Sequence, residues 1–269
     1  MRSDEWAKPP SAVRRELLHA QPEAHPEGQP EAAGNAPPVL FVPGYGHGAW
    51  AFSQHWLEHT AERGFPAYAM SLRGHGGSAA DPGARLRDYV HDVTQVAAGL
   101  PKQAILVGHG AGALVVAMAM ARYPARAGVL IAPVFGGLGT AFGLLRRNPG
   151  GTLPGLFGGR VSLGAAQLFG RGLPANQAQS YAKRLQRVPA GAQRELIRRR
   201  RPEPPVGDPP VLVVGSPDDR VVSGSALEWV AHRYGGSPLL FPGMGHDLML
   251  DARWQEPVDA IADWLEKAR

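Results

Sequence analysis

Cysteine is absent from the 269 residues. That excludes disulfides, thiolate nucleophiles and Cys-type zinc sites, and it fits a cytoplasmic protein. No apolar run reaches the roughly 18 residues that a membrane-spanning helix needs. The N-terminal stretch carries charge but no apolar core, so no secretory signal is expected. Serine and cysteine are both missing between Pro101 and Val161, which bears on the chemistry below. A basic groove with interleaved aromatics, the usual mark of a nucleic-acid surface, is also missing, and no nucleic-acid partner is expected.

What is present is an ordinary apolar fraction of 44% and enough chain for one α/β domain with a cap. The net charge of +5 is unevenly spread. Residues 134–205 hold eleven Arg and one Lys against two Glu, a net +10, which leaves −5 for the rest.

Residues 1–36 are rich in Pro, Glu, Gln and Ala and read as an N-terminal arm, with most of it loosely held. Within it, Val13, Leu17 and Leu18 predict one helix over Ser11–Ala20. From Val39 strands and helices alternate. Val39–Val42, Ala67–Ser71, Ala104–Gly108, Gly128–Ile131, Val211–Val214 and Pro238–Phe241 read as strands. Helical spacing is found around Trp50–Leu57, Leu86–Ala97, Leu114–Met120, Gly224–Tyr234 and Pro257–Lys267. This alternation argues for a parallel sheet with right-handed crossovers. Residues 134–205 break the rhythm: an apolar, Gly-rich part is followed by a basic helical part ending in Arg198–Arg201. They read as a cap inserted into a core of 37–133 and 206–269.

The central stretch is Ala104-Ile-Leu-Val-Gly108-His109-Gly110-Ala111-Gly112. A strand, a tight Gly turn and a helix are the context in which a G-x-S-x-G nucleophile elbow forms. Gly110 stands at the nucleophile position. The site demands a strained, positive-φ backbone that glycine adopts freely, so Gly110 is structurally comfortable and chemically silent. His109 reads as a packing neighbour of the elbow. The run is not G-x-G-x-x-G, and no acidic residue follows at ribose distance, so a dinucleotide is not expected. His47, His55, His59, His75 and His91 are scattered without zinc spacing, and neither metal nor cofactor is assigned.

From about Pro38 onward the chain resembles the α/β-hydrolase superfamily. The resemblance rests on four stretches in order beside the elbow: Val42-Pro-Gly-Tyr45-Gly-His47-Gly-Ala-Trp50, Ser71-Leu-Arg-Gly-His-Gly-Gly-Ser78, Val213-Val-Gly-Ser-Pro-Asp218-Asp219-Arg-Val-Val222, and Phe241-Pro-Gly-Met-Gly-His246-Asp247. It implies a mostly parallel sheet with helices on both faces and an inserted cap. The family's first hairpin is expected to be missing, as in the small esterase and hydroxynitrile lyase branch. It also implies roles. His246 stands at the catalytic base. Asp219 stands at the acid that holds the base's tautomer, with Asp218 as the alternative. The backbone N–H groups of Tyr45 and Ala111 stand at the oxyanion hole. Pro43 replaces a common family histidine without removing the Tyr45 N–H. With no Asp at 110, carboxylate-nucleophile chemistry of the epoxide-hydrolase and haloalkane-dehalogenase kind is disfavoured.

Three readings follow. One is an enzyme that acts on a hydrophobic carbonyl compound such as an ester, lactone or polyketide-like molecule. It would use the His246–Asp219 dyad and the oxyanion hole for water attack, cyclisation or lyase chemistry, without a serine. The second is a non-catalytic binding protein, as in the N-myc downstream-regulated family. The third is a serine esterase or lipase inactivated by Ser-to-Gly replacement at 110. The apolar half of the cap suggests a pocket for a greasy substrate. The Arg run offers a site for an acidic group, an anionic surface or an acidic carrier, and a solvated helix end is the plainer reading.

Overall fold

The apolar runs form strands whose alternate residues enter two separate cores. The strands are β1 (Leu17–Ala20), β2 (Val39–Val42), β3 (Ala67–Met70), β4 (Ile105–His109), β5 (Ala127–Ile131), β6 (Val211–Gly215) and β7 (Leu239–Leu240). The computed structural model describes residues 12–22, 36–136, 143, 145–146, 148–156, 159, 161–197 and 201–267. Val39 and Phe41 of β2, Ile105 and Val107 of β4, and Val129 and Ile131 of β5 face one core. Leu40, Val42, Leu106 and Leu130 face the other. Because both faces are covered, these strands read in sequence as unbroken apolar runs, not as apolar–polar alternation.

The sheet order is β1-β3-β2-β4-β5-β6-β7, which puts β4 at its centre. All neighbouring pairs are parallel except β1 with β3. On one face lie α1 (Trp50–Ser53), α2 (Trp56–Glu62) and the closing helix α10 (Gln255–Lys267). Phe41 stacks on Phe52 at 4.8 Å and meets Trp56 edge-on at 6.2 Å. Such pairs contribute about 0.5–1.5 kcal/mol each beyond burial. The other face carries α3 (Leu86–Ala98), α4 (Ala111–Met120) and α9 (Gly224–Arg233). All ten residues of α4 are buried, so this helix is apolar around its whole circumference.

Between β5 and β6 come α5 (Pro149–Leu156), α6 (Ala165–Leu168), α7 (Ala175–Lys183) and α8 (Ala190–Ile197). These helices fall within residues 134–205, the stretch read from the sequence as a cap. Parts of that expectation lie outside the described residues, among them Leu138, Phe142, Leu144, Phe157 and Arg198–Arg200. Among the described residues no helix is long and apolar enough to cross a membrane.

The helix expected over Ser11–Ala20 is not formed. Residues 17–20 are strand β1, paired antiparallel with β3 from Leu17↔Met70 to Ala20↔Ala67. The apolar spacing fits a helix locally, but β3 would otherwise expose a row of unpaired backbone groups, and edge pairing wins. Among the described residues one strand, not a hairpin, precedes β2. The contact extends into side chains. The Glu16 carboxylate accepts from the Ser71 hydroxyl and, at 2.9 Å, from the Gly77 N–H. Ser71 Oγ in turn accepts the Ala49 N–H at 2.8 Å. The arm thus braces two loops at the carboxyl end of the sheet. Nearby, the buried Arg73 holds the buried Asp92 through two bonds of 2.7 and 2.6 Å, fixing the loop after β3 to α3.

Glu16→Ala leaves Ser71 and Gly77 without this acceptor. It is expected to lower the unfolding free energy by roughly 1–3 kcal/mol, read as a lower midpoint in urea at unchanged slope. An unchanged midpoint would show that the Glu16 contacts add nothing to stability.

Candidate active site

Three glycines shape the turn from β4 into α4, each for its own reason. A Cβ on Gly108 would lie 2.6 Å from the carbonyl oxygen of Gly112, and one on Gly112 would lie 2.4 Å from that of Pro43. Strand, helix and the loop after β2 therefore approach closer than any side chain permits. Gly110 has φ +54° and ψ −117°, a backbone that L side chains rarely adopt. Its N–H donates to Ile131 O at 2.8 Å, and its carbonyl accepts from Ala113 N at 3.2 Å and Val134 N at 3.0 Å. Ala111 opens α4, where the first N–H groups have no intrahelical acceptor.

His246 is delivered by the loop after β7. Two residues at the end of β6 hold this loop: Ser216 Oγ donates to Met244 O at 2.8 Å, and Asp218 Oδ2 accepts the Gly243 N–H at 2.7 Å. Asp218 is thereby occupied as a loop brace at the surface. Asp219 is the carboxylate on the histidine, with Oδ2 2.8 Å from His246 Nδ1. Its Oδ1 accepts the N–H groups of Val221 at 2.6 Å and Val222 at 3.0 Å. Both partners of the dyad are buried. The other ring nitrogen, His246 Nε2, lies 3.1 Å from the point where a Cβ on Gly110 would sit. Gly44 Cα is 3.8 Å from the same point, which brings the Tyr45 loop alongside. The structure therefore gathers Gly110, Ala111, His246, Asp219 and the Tyr45 loop at the carboxyl end of the central strand.

Burial alone would push the His246 pKa down. The adjacent Asp219 charge and its hydrogen bond, with a further contribution from Asp247, outweigh that and raise it above 6.5. Beside the dyad opens a cleft of about 460 Å³ lined by Ala166, Gln167 and Pro217–Arg220. The insertion closes over the neighbouring loops. Tyr45 Oη donates to Gln193 Oε1 at 2.6 Å, Gln186 N–H donates to Gly46 O at 2.8 Å, and Asp247 N–H donates to Leu168 O at 2.9 Å.

A second buried cluster was not foreseen from the sequence. His47, His109 and Asp247 bring one ligand-capable atom each to within 4.8 Å of one another. His47 Nε2 lies 3.0 Å from Asp247 Oδ2, and His109 Nε2 lies 3.4 Å from Oδ1. His109 Nε2 also lies 3.2 Å from the His246 carbonyl oxygen, the position of a donor N–H. The three residues, one at the end of β4 and two in loops, lie more than sixty positions apart in every pair, so no spacing pattern marks them. Their only signal is that each lies within two residues of a predicted site residue.

Residues 39–264 match the family described as "Alpha/beta hydrolase family". The chain belongs to that family. A thermophilic esterase from Thermogutta terrifontis superposes with a TM-score of 0.69 at 17% identity, covering 95% of this chain and 94% of that one. A monoacylglycerol lipase from Paleococcus ferrophilus gives 0.68 at 17% identity, covering 96% and 100%. A monoglyceride lipase from Saccharomyces cerevisiae gives 0.76 at 12% identity, covering 97% and 94%. At these identities the likeness speaks for the fold. No curated protein matches the chain in sequence.

Buried neutral histidines make an acid-side prediction. His75 donates Nδ1–H to Arg73 O at 3.2 Å, and burial lowers its pKa to about 4. The unfolded chain, with an ordinary histidine near 6.5, binds the proton that the native state refuses. Stability is therefore full above pH 6.5 and is lost as the pH falls toward 4, by about 2 kcal/mol at pH 5. The raised pKa of His246 acts in the opposite sense. His75→Gln is expected to flatten the slope of unfolding free energy between pH 6.5 and 5, measured by urea titration at each pH.

Proposed function

We propose that this protein is an enzyme of the α/β-hydrolase family that acts on a hydrophobic carbonyl compound by proton transfer, without a side-chain nucleophile. The observation that carries the reading is the Asp219–His246 contact of 2.8 Å, with His246 Nε2 directed at the empty side-chain position of Gly110. A water or a substrate hydroxyl there sits where the base can take its proton. In the hydrolytic case the oxygen attacks the carbonyl carbon as His246 takes that proton. The negative charge moves to the carbonyl oxygen, which the N–H groups of Tyr45 and Ala111 receive. Collapse expels the alcohol, which takes the proton back from the imidazolium, giving acid and alcohol from ester and water. The same base and donors serve cyclisation or lyase chemistry when a substrate group replaces water. Positioned acid–base catalysis contributes roughly 10²–10⁴-fold, and each oxyanion donor about 3–4 kcal/mol.

The apolar character of the insertion supports a greasy substrate held beneath it as a cap. Its arginines support an acidic group on that substrate or an acidic carrier, and the lack of cysteine supports a cytoplasmic setting. A second reading, a binding protein descended from a serine esterase, draws on the same geometry. At 3.1 Å the imidazole leans into the space a side chain at 110 would occupy.

The test compares the parent with Gly110→Ser, His246→Ala and Asp219→Asn on aryl esters and lactones, with a fluorophosphonate probe alongside. The expected result is parent turnover that His246→Ala abolishes. Gly110→Ser should raise ester turnover on the order of 100-fold and accept the probe, after the imidazole gives way by a few tenths of an ångström. Since the base must be neutral to work, activity should rise with pH through a midpoint above the usual histidine value of 6.5. An inert parent with a reactive Gly110→Ser variant would favour the binding protein. A Gly110→Ser variant that neither reacts nor labels would refute the site.

A further inference from the structure

The mechanism above leaves three fully buried ionisable side chains without a task. They are His47, His109 and Asp247. Each stands beside one part of the candidate machinery. His47 follows Tyr45 by two residues, His109 precedes Gly110, and Asp247 follows His246. The three parts belong to three loops, after β2, β4 and β7, and a single carboxylate touches the partner residues from the other two.

The direction of the hydrogen bonds can be worked out. Asp247 is held below the usual carboxylate range: burial works against its charge, but the His47 contact and its hydrogen bond lead the effects that offset it. As an anion it only accepts. His47 Nε2 therefore donates to Oδ2 at 3.0 Å. His109 is neutral, its pKa pushed by burial down to about 3, so it carries one N–H. That proton is on Nε2, which donates to the His246 carbonyl at 3.2 Å, while Asp247 Oδ1 lies 3.4 Å from the same nitrogen and has no hydrogen-bond partner among the described residues. The bare Nδ1 packs against Gly44, where any Cβ would come within 2.7 Å of it. Gly44 thus lets the ring seat itself, and the packed ring cannot slide away. Its face lies 4.8 Å from the His246 ring, centroid to centroid.

We propose that Asp247, with His47 and His109, is the positioning unit of the active site, a buried carboxylate that ties the oxyanion loop, the elbow and the base loop into one geometry. The unit touches no substrate. It acts through the backbone of His246 and the seats of Tyr45 and Gly110. The proposal rests on the site assigned under Proposed function. Burying a carboxylate costs several kcal/mol that an apolar side chain would not. Here the cost goes with placement, since the charge stands directly behind the base.

The test is made in two settings. In the Gly110→Ser background, ester kinetics are measured for Asp247→Asn, His109→Leu and His109→Gln, each checked for folding by urea midpoint. Asn at 247 retains shape but sets an N–H against one of the two histidine donors. Leu at 109 removes the donor to the His246 carbonyl, whereas Gln returns an amide N–H close to Nε2. Asp247→Asn and His109→Leu should lower kcat on the order of 10- to 100-fold with KM nearly unchanged, and His109→Gln should recover most of the loss. Equal losses in the Leu and Gln variants, or a full kcat in Asp247→Asn, would overturn the proposal. In the parent chain, which needs no activity, the proton resonance of His246 Nδ1–H against Asp219 is followed by NMR. It should shift or broaden in Asp247→Asn and hold in His109→Gln. A resonance unmoved by Asp247→Asn counts against the unit. If the Gly110→Ser protein is inert, the functional reading fails and the resonance alone decides the positioning. Stoichiometric Zn²⁺ binding by the parent that Asp247→Asn abolishes would make the cluster a metal site and displace this proposal.

Discussion

Everything at the carboxyl end of the sheet depends on how closely the β4–α4 turn approaches the loop after β2. The gaps at Gly108 and Gly112 are smaller than a methyl group, so the elbow backbone is clamped between strand, helix and the Pro43 carbonyl. The clamp holds Gly110 in a backbone that its own hydrogen bonds to Ile131, Ala113 and Val134 reinforce. Once that turn is placed, the central position of β4 decides what can reach it. The loop after β2 arrives from one side, and the ends of β6 and β7 bring Asp219 and His246 from the other.

The site is over-determined by polar contacts. Asp219 serves two backbone N–H groups with one oxygen and His246 with the other, so the carboxylate cannot rotate without abandoning a partner. Ser216 and Asp218 fasten the histidine loop to β6 from below. On the far side, Glu16, Ser71 and Ala49 link the N-terminal edge strand to the loop after β2. A displacement of any one loop therefore strains the others, which is the mechanical meaning of a preorganised site.

What was legible in the sequence follows from which forces are local. The strands of the core were visible because both of their faces are apolar, and the central turn because contact distances demand Gly at 108 and 112 while a positive φ favours it at 110. His246 and Asp219 were legible through their loops. The choice between Asp218 and Asp219 needed coordinates, since adjacent residues at a strand end point in different directions. β1 was misread because its state is set by the open edge of β3, fifty residues later in the chain. The His47–Asp247–His109 cluster was invisible for a similar reason. It is assembled from residues up to 200 positions apart, and a histidine met singly in a sequence carries no sign of its partner.

The absent nucleophile changes the weight of each remaining part. In an elbow with a serine, the base needs only to reach one hydroxyl whose place is fixed by a covalent bond. On the proposed reading, with Gly110 the reacting oxygen has no tether, and its place must be set by the donors and the base alone. Loss of a fixed nucleophile thus makes precise placement of His246 and of the oxyanion N–H groups more consequential. Two buried carboxylates bear on that placement, one on the ring and one on the chain behind it. On the proposed reading Asp219 fixes the tautomer and stabilises the imidazolium. The nearby Asp247 charge adds to this, which on that reading makes the base stronger. On the proposed reading such a site favours chemistry that begins with proton abstraction.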